Sequence, residues 1–209
     1  MKVCLVSCQY PPLSRTYRRY QFARLLAQGG CDLEVVAHGN ISKALGAFVD
    51  DADTVADSDW PVHRPRAVPW HLTGEVLCRL GLVPCPYANW VRPAARVAAR
   101  IAAGPADVVC GIYPPLTNLL VAWRVARHTG ARLVVDFRDE YLGLAHGLRR
   151  PQAVRWQGRL LAAADLVSVA TAAVGQGFVA AGLDPARLQL TANGYWEAPH
   201  PIPPYAPAE

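Results

Sequence analysis

Residues 3–37 read VCLVSCQYPPLSRTYRRYQFARLLAQGGCDLEVVA, and this stretch decides the fold. An apolar run, Val3 to Ser7, ends in a polar loop with two prolines, Cys8 to Ser14, and gives way to helical spacing from Arg15 to Gln28. Phe22, Leu25 and Leu26 mark the buried stripe of that helix, and Gly29 and Gly30 stop it. Leu33 to Ala37 is a second apolar run. Strand, helix and strand in this order make a βαβ unit, whose two strands pair in parallel.

The alternation continues down the chain. Strands are predicted at Asp107–Ile112, Arg132–Phe137, Leu166–Ala170 and Arg187–Thr191, and helices at Tyr87–Ala103, at Pro115–Thr129, after Pro151 to Ala164, and up to Ala181. In the Tyr87–Ala103 helix, Trp90, Ala94, Val97 and Ile101 share one side while Arg92, Arg96 and Arg100 share the other. The expected fold class is α/β: a Rossmann-like, doubly wound, mostly parallel sheet of about seven strands with helices on both faces. Two stretches stand apart. His38 to Arg66 carries an acidic cluster (Asp50, Asp51, Asp53, Asp57, Asp59) without periodicity, and Pro69 to Trp90 reads as a short amphipathic helix inside a loop. No internal repeat occurs. Residues 1–197 read as one domain and 198–209, with four prolines from His200 onward, as the start of a linker or a disordered tail.

Composition excludes several classes. The chain has 209 residues, 52% hydrophobic and 18% charged, enough to bury a core without disulfides or metals. The best candidate for a membrane span, Leu160 to Val174, is interrupted by Asp165. Met1 to Ser7 lacks the features of a signal peptide, so a cytoplasmic location with six reduced cysteines is expected. His63, His71, Cys78 and Cys85 are spaced unlike any paired zinc ligands, and no metal site is expected. Gly175, Gly177 and Gly182 have the wrong spacing for a dinucleotide fingerprint. The formal charge is +5, carried by 19 Arg and 2 Lys, and the planar guanidinium suits phosphate oxygens. Phosphorylated molecules or anionic lipid are therefore candidate partners. Trp70, Trp90 and the Arg92, Arg96, Arg100 stripe suggest peripheral contact with a membrane or a lipid-linked acceptor. The arginines do not interleave with aromatics as a nucleic-acid module would require, so no nucleic-acid partner is expected.

In an open parallel sheet, ligands bind beyond the carboxyl ends of the strands. After the first strand, Arg15 and Arg18 start a helix whose amino end favours anions, and Arg18 continues the Phe22 stripe one turn toward the cleft. After the strand Asp107–Ile112, Tyr113, Pro114 and Pro115 form a rigid wall. The sharpest segment is Val134-Val135-Asp136-Phe137-Arg138-Asp139-Glu140-Tyr141, where a buried-type strand runs straight into four charges and an aromatic. Arg138 and Asp139 are the candidate catalytic pair, with Glu140 beside them. A structural ion pair at the strand end is the alternative reading. Asn193, in the turn Asn193-Gly194-Tyr195, completes the set of candidate substrate-binding residues.

These residues together carry a resemblance. Tyr10-Pro11-Pro12, Arg18 in the segment ending Ala23-Arg24-Leu25-Leu26, Asp136 to Tyr141, the stretch Ala164 to Thr171, and Asn193-Gly194-Tyr195 resemble, in order and spacing, the amino-terminal half of family 4 retaining glycosyltransferases of the GT-B fold. The resemblance covers Lys2 to Glu197. It implies transfer of a sugar from a nucleotide sugar to a sugar, lipid-linked or small-molecule acceptor with retention of configuration, in glycan or glycoconjugate biosynthesis and without a catalytic metal. It also implies a carboxy-terminal GT-B domain, supplied by the same longer chain or by a partner subunit, without which these 209 residues are expected to be inactive. A non-catalytic sugar- or phosphate-binding module is the alternative. The chain departs from the family at the first loop, where Ser14-Arg15 replaces a Gly-Gly pair.

Overall fold

The apolar runs become the strands of one sheet. The computed structural model of the chain describes residues 1–10, 17–39, 59–67, 71–143 and 145–192. Chain order is β1 (Lys2–Val6), α1 (Tyr17–Gln28), β2 (Asp32–Val36), β3 (Val62–His63), α2 (His71–Arg79), α3 (Val91–Ile101), β4 (Val108–Tyr113), α4 (Leu116–Thr129), β5 (Arg132–Phe137), α5 (Arg150–Ala163), β6 (Leu166–Val169), α6 (Ala172–Ala180) and β7 (Leu188–Leu190). The strands lie side by side in the order β3-β2-β1-β4-β5-β6-β7. Every adjacent pair is parallel, with Cys4 opposite both Glu34 and Val109, and Asp136 opposite both Ile112 and Ser168. This is the doubly wound arrangement the sequence predicts, and the winding reverses between β1 and β4. Among the seven strands of the described residues, only β3 escapes the sequence pattern, because two residues are too few to show a period of two.

Side chains alternate between the two faces. Val3 and Leu5 of β1, Val35 of β2, and Cys110 and Ile112 of β4 pack toward α1, against Ala23 and Trp60. Cys4, Val6, Val109, Leu133, Val135, Phe137 and Val167 face the opposite layer, where Ala94, Ala98, Leu119, Ala122 and Leu160 of α3, α4 and α5 cover them. Close approach of α4 to β4 depends on Gly111. A Cβ there would lie 2.8 Å from the Asn118 carbonyl oxygen and 3.1 Å from the Ala122 Cβ. The helix ends where Gly130 takes φ 76°, a left-handed cap that only glycine adopts without strain.

The helix predicted over Tyr87–Ala103 begins later. A single 3-10 turn at Ala88–Trp90 precedes α3, and Trp90 is fully buried while Arg92, Arg96 and Arg100 point to solvent. All six cysteines are free thiols, and all but Cys31 are buried. Burial pushes the Cys4 thiol up to about 12 and Cys8 and Cys110 well above their ordinary range, which keeps them protonated and unreactive. No helix among the described residues is long and apolar enough to cross a membrane.

Candidate functional site

The winding reversal brings the segments after β1, β4 and β5 to one edge of the sheet. Asn118, buried in the first turn of α4, fixes the first two of them together. Its Oδ1 accepts from the Cys8 N–H at 2.7 Å and its Nδ2 donates to the Ile112 carbonyl at 2.6 Å. Arg19 adds a second tie. Its Nη1 donates to the carbonyl and side-chain oxygens of Gln9, both at 2.9 Å, and its Nη2 donates to the Pro114 carbonyl at 2.6 Å. Beside this strap lies a cleft of about 150 Å³ lined by Arg19, Phe22, Ile112, Tyr113, Pro114, Arg138 and Asp139.

The two candidate catalytic residues meet the cleft in different ways. β5 alternation turns Asp136 toward α1, where it is fully buried, and Arg138, two residues on, follows it on the same face. The Arg138 Nε donates to Asp136 Oδ2 at 2.5 Å and its Nη1 to the Thr191 carbonyl at 3.0 Å, while the guanidinium lies 5.6 Å from the Phe22 ring centre. Arg138 thus ties β5 to the chain leaving β7 while it lines the cleft. Asp139 is exposed at the cleft mouth. Glu140 is also exposed but folds back, its carboxylate 2.8 Å from where a Cβ on Gly143 would sit. Tyr113 is buried, its ring edge-on to Tyr141 at 5.3 Å. Burial first, then the charge of Asp139, raises its phenol to about 12, so it stays a neutral donor or acceptor at physiological pH.

Of the remaining candidates, Arg15 and Asn193 lie outside the described residues, as does the Ser14-Arg15 departure from the family's glycines. Arg18 sits in the first turn of α1, and its side chain is likewise outside the description. Among the described residues, Arg19, three residues before Phe22, is a helix-start arginine that reaches the cleft, and it was not among the residues expected there from the sequence. The i, i+3 spacing to Phe22 was the available signal. A second sequence-silent residue is His38, just beyond β2. It stacks on Trp90 at 5.3 Å and meets Tyr87 edge-on, and burial lowers its imidazole to about 4. Among the described residues no three His, Cys, Asp or Glu side chains group as metal ligands would.

A larger groove, about 760 Å³, runs between α3 and α4 away from the strand ends. Arg92, Arg96, Arg100, Arg124 and His128 line it over a floor of alanines. It contains the arginine stripe noted in the sequence. Trp70, which the sequence reading joined to that stripe, is outside the described residues.

Comparison with known proteins follows the same geometry. The family model of a glycosyl transferase 4-like domain matches residues 16–194. No match is found among curated proteins. Among solved structures, HepE of Anabaena, in complex with UDP and glucose, superposes with a TM-score of 0.59 at 15% identity over 93% of this chain and 45% of its own. A sucrose-phosphate synthase structure from Thermosynechococcus elongatus gives 0.57 at 14% identity, over 93% of this chain and 90% of its own. UDP-N-acetylglucosamine 2-epimerase from Rickettsia bellii gives 0.53 at 12%, over 92% and 44%. Identities this low establish a shared fold and no more, and the epimerase shows that the fold does not fix the reaction. The chain spans under half the length of HepE.

Proposed function

The chain belongs to the glycosyl transferase 4-like family, and from that premise we propose that it is the acceptor-side half of a GT-B glycosyltransferase, taking part in retaining, metal-independent transfer of a sugar from a nucleotide sugar. The observation that carries this reading is the cleft at the ends of β4 and β5, where two arginines, a buried phenol and one exposed carboxylate converge. At about 150 Å³ this cleft is smaller than the roughly 300–1,000 Å³ of a complete small-molecule site. It is one wall of a site, and the other wall comes from a carboxy-terminal domain in the same longer chain or in a partner subunit.

The side chains divide the work. Asp139 is free to turn toward an acceptor, to hold its hydroxyls or accept its proton at a carboxylate oxygen. Arg138, its charge balanced by Asp136, positions the β5 end and the chain after Thr191. Arg19 holds the loops after β1 and β4 at a fixed separation, which matters because misplacing a reacting group by an ångström can cost about 10²-fold. The acceptor is a sugar, a lipid-linked molecule or a small molecule, the product enters glycan or glycoconjugate synthesis, and the protein works in the cytoplasm.

The test joins this chain to a carboxy-terminal GT-B domain and follows donor consumption and acceptor glycosylation, with the anomeric configuration of the product read by NMR. Transfer that depends on both halves supports the reading, and an inverted product overturns its retaining step. Binding without turnover in the completed protein would instead establish the alternative, a non-catalytic sugar- or phosphate-binding module. That alternative is favoured by one observation, the engagement of Arg138 in an ion pair within the fold.

A further inference from the structure

Not all apolar side chains found a place in the core. α2 turns Gly74 and Cys78 inward, and its opposite stripe, Val76 and Leu80, stands 56% and 52% exposed. Leu80 belongs to the same helical turn, since its N–H donates to the Val76 carbonyl at 3.0 Å. Gly81 then takes φ 71° and lies so close to Leu148 that a Cβ there would come within 2.5 Å of the Leu148 carbonyl oxygen. Leu82 at 65% and Leu148 at 67% exposure therefore flank one close backbone approach and extend the Val76–Leu80 stripe into a single patch drawn from two segments. Large apolar side chains gathered in this way are uncommon on a free surface and mark contact with something else.

Charge indicates what that contact is. Residues 73–83 and 145–155 hold four arginines, Arg79, Arg149, Arg150 and Arg155, against one carboxylate, Glu75, which is itself paired with Arg79 at 3.4 Å. The patch is leucine and valine on segments rich in arginine, without the aromatic anchors that dominate protein–protein hot spots. Apolar side chains that enter the acyl boundary, with cations placed to meet phosphate, are the pattern of an interfacial membrane contact. Position supports the same occupant. Arg149, next to Leu148, lies close enough for its charge to act on both Cys78 of α2 and Tyr113 of the cleft wall, so the two segments of the patch meet near the cleft.

We propose that the chain docks on anionic bilayers through the patch Val76, Leu80, Leu82 and Leu148 with the arginines of the same segments, which sets the cleft at the membrane surface. If the transferase reading holds, the acceptor is lipid-borne; that clause rests on the reading above, and the docking itself does not.

The experiment is co-sedimentation of the chain with vesicles of phosphatidylcholine alone and of phosphatidylcholine with phosphatidylglycerol, beside a melting curve for each variant. Binding is expected to the anionic vesicles and to weaken with salt. The triple variant Leu80→Gln, Leu82→Gln, Leu148→Gln should lose it by at least about tenfold while melting with the parent, since the three side chains are exposed. Arg149→Gln and Arg150→Gln should each weaken binding by about fivefold. Arg92→Gln with Arg96→Gln and Arg100→Gln, in the α3 and α4 groove, should change it less than the leucine variant does. Absence of vesicle binding at low salt overturns the proposal, as does binding lost in the groove variant and kept in the leucine variant. So does a dimer in solution that the leucine variant dissolves, which would make the patch a contact between copies. None of these readouts depends on transfer activity, so docking and the transferase reading can fail separately.

Discussion

At the scale of single residues, adjacent charges on one loop have different physical situations. Arg138 is 8% exposed at its side chain and Asp136 is fully buried, so Arg138→Ala leaves a carboxylate in the interior without its cation. That costs about 3–5 kcal/mol, and the variant should melt well below the parent. Asp139 is exposed, and Asp139→Asn should change stability by no more than about 0.5 kcal/mol while lowering transfer by roughly 10²-fold once the second half is supplied. Thermal unfolding and transfer rates on both variants decide the assignment. An Arg138→Ala protein as stable as the parent would remove the positioning role given to that residue. His38 makes a second residue-scale prediction. Burial lowers its imidazole from 6.5 to about 4, so between those values the unfolded chain binds the proton and the folded chain does not. Stability contributed by neutral His38 is complete above pH 6.5 and is lost as pH falls toward 4, by on the order of 2–3 kcal/mol. Glu34, buried in part yet held low by His63 and Lys2, titrates below 4.5 and leaves the window above that to histidine. Denaturation midpoints between pH 7 and 4.5 should fall steeply for the parent and less steeply for His38→Phe; equal slopes would sink the explanation.

Elements are positioned by a few close approaches more than by their propensities. α4 reads as a helix from its spacing alone, yet its placement over β4 depends on Gly111 having no side chain and on Asn118 reaching two backbone groups. Gly111→Ala forces a methyl to within 2.8 Å of a helix carbonyl that cannot rotate away. The expected cost is about 1–3 kcal/mol, read as a lower denaturation midpoint, with the Cys8 and Pro114 loops shifted relative to each other. An unchanged midpoint would mean that α4 slides freely on the sheet. The predicted helix at Tyr87–Ala103 shows the same competition at its start. Trp90 is buried, with its Nε1 donating to the Pro65 carbonyl at 2.9 Å, and the chain enters α3 through a 3-10 turn that presents the indole to that carbonyl. Tertiary contact overrode the helical spacing for one turn.

For the molecule as a whole, the small cleft predicts weak binding. If the proposed reading holds, the 209-residue chain alone should bind UDP no tighter than the millimolar range, about −4 kcal/mol, and should consume no donor, because a second domain would then supply the remaining polar partners and the exclusion of water. Calorimetry with UDP and a donor-consumption assay test this; rapid turnover by the isolated chain would require the site to be complete on one domain. The sequence by itself determined the parallel α/β sheet, because apolar runs bounded by glycine and proline, alternating with 3.6-residue stripes, allow few other packings. It also placed Tyr113, Arg138 and Asp139 at the strand ends, since a charge directly after a buried strand has only that edge to occupy. Three matters were left to the tertiary structure. Arg19 reaches the cleft because the start of α1 lies beside the Pro114 loop, Arg138 points inward because Asp136 is buried beneath it, and Leu80, Leu82 and Leu148 share a patch because Gly81 meets Leu148 from a segment 67 residues away in sequence. Each depends on contacts between segments distant in the chain, and a local pattern carries no record of which distant backbone will approach it.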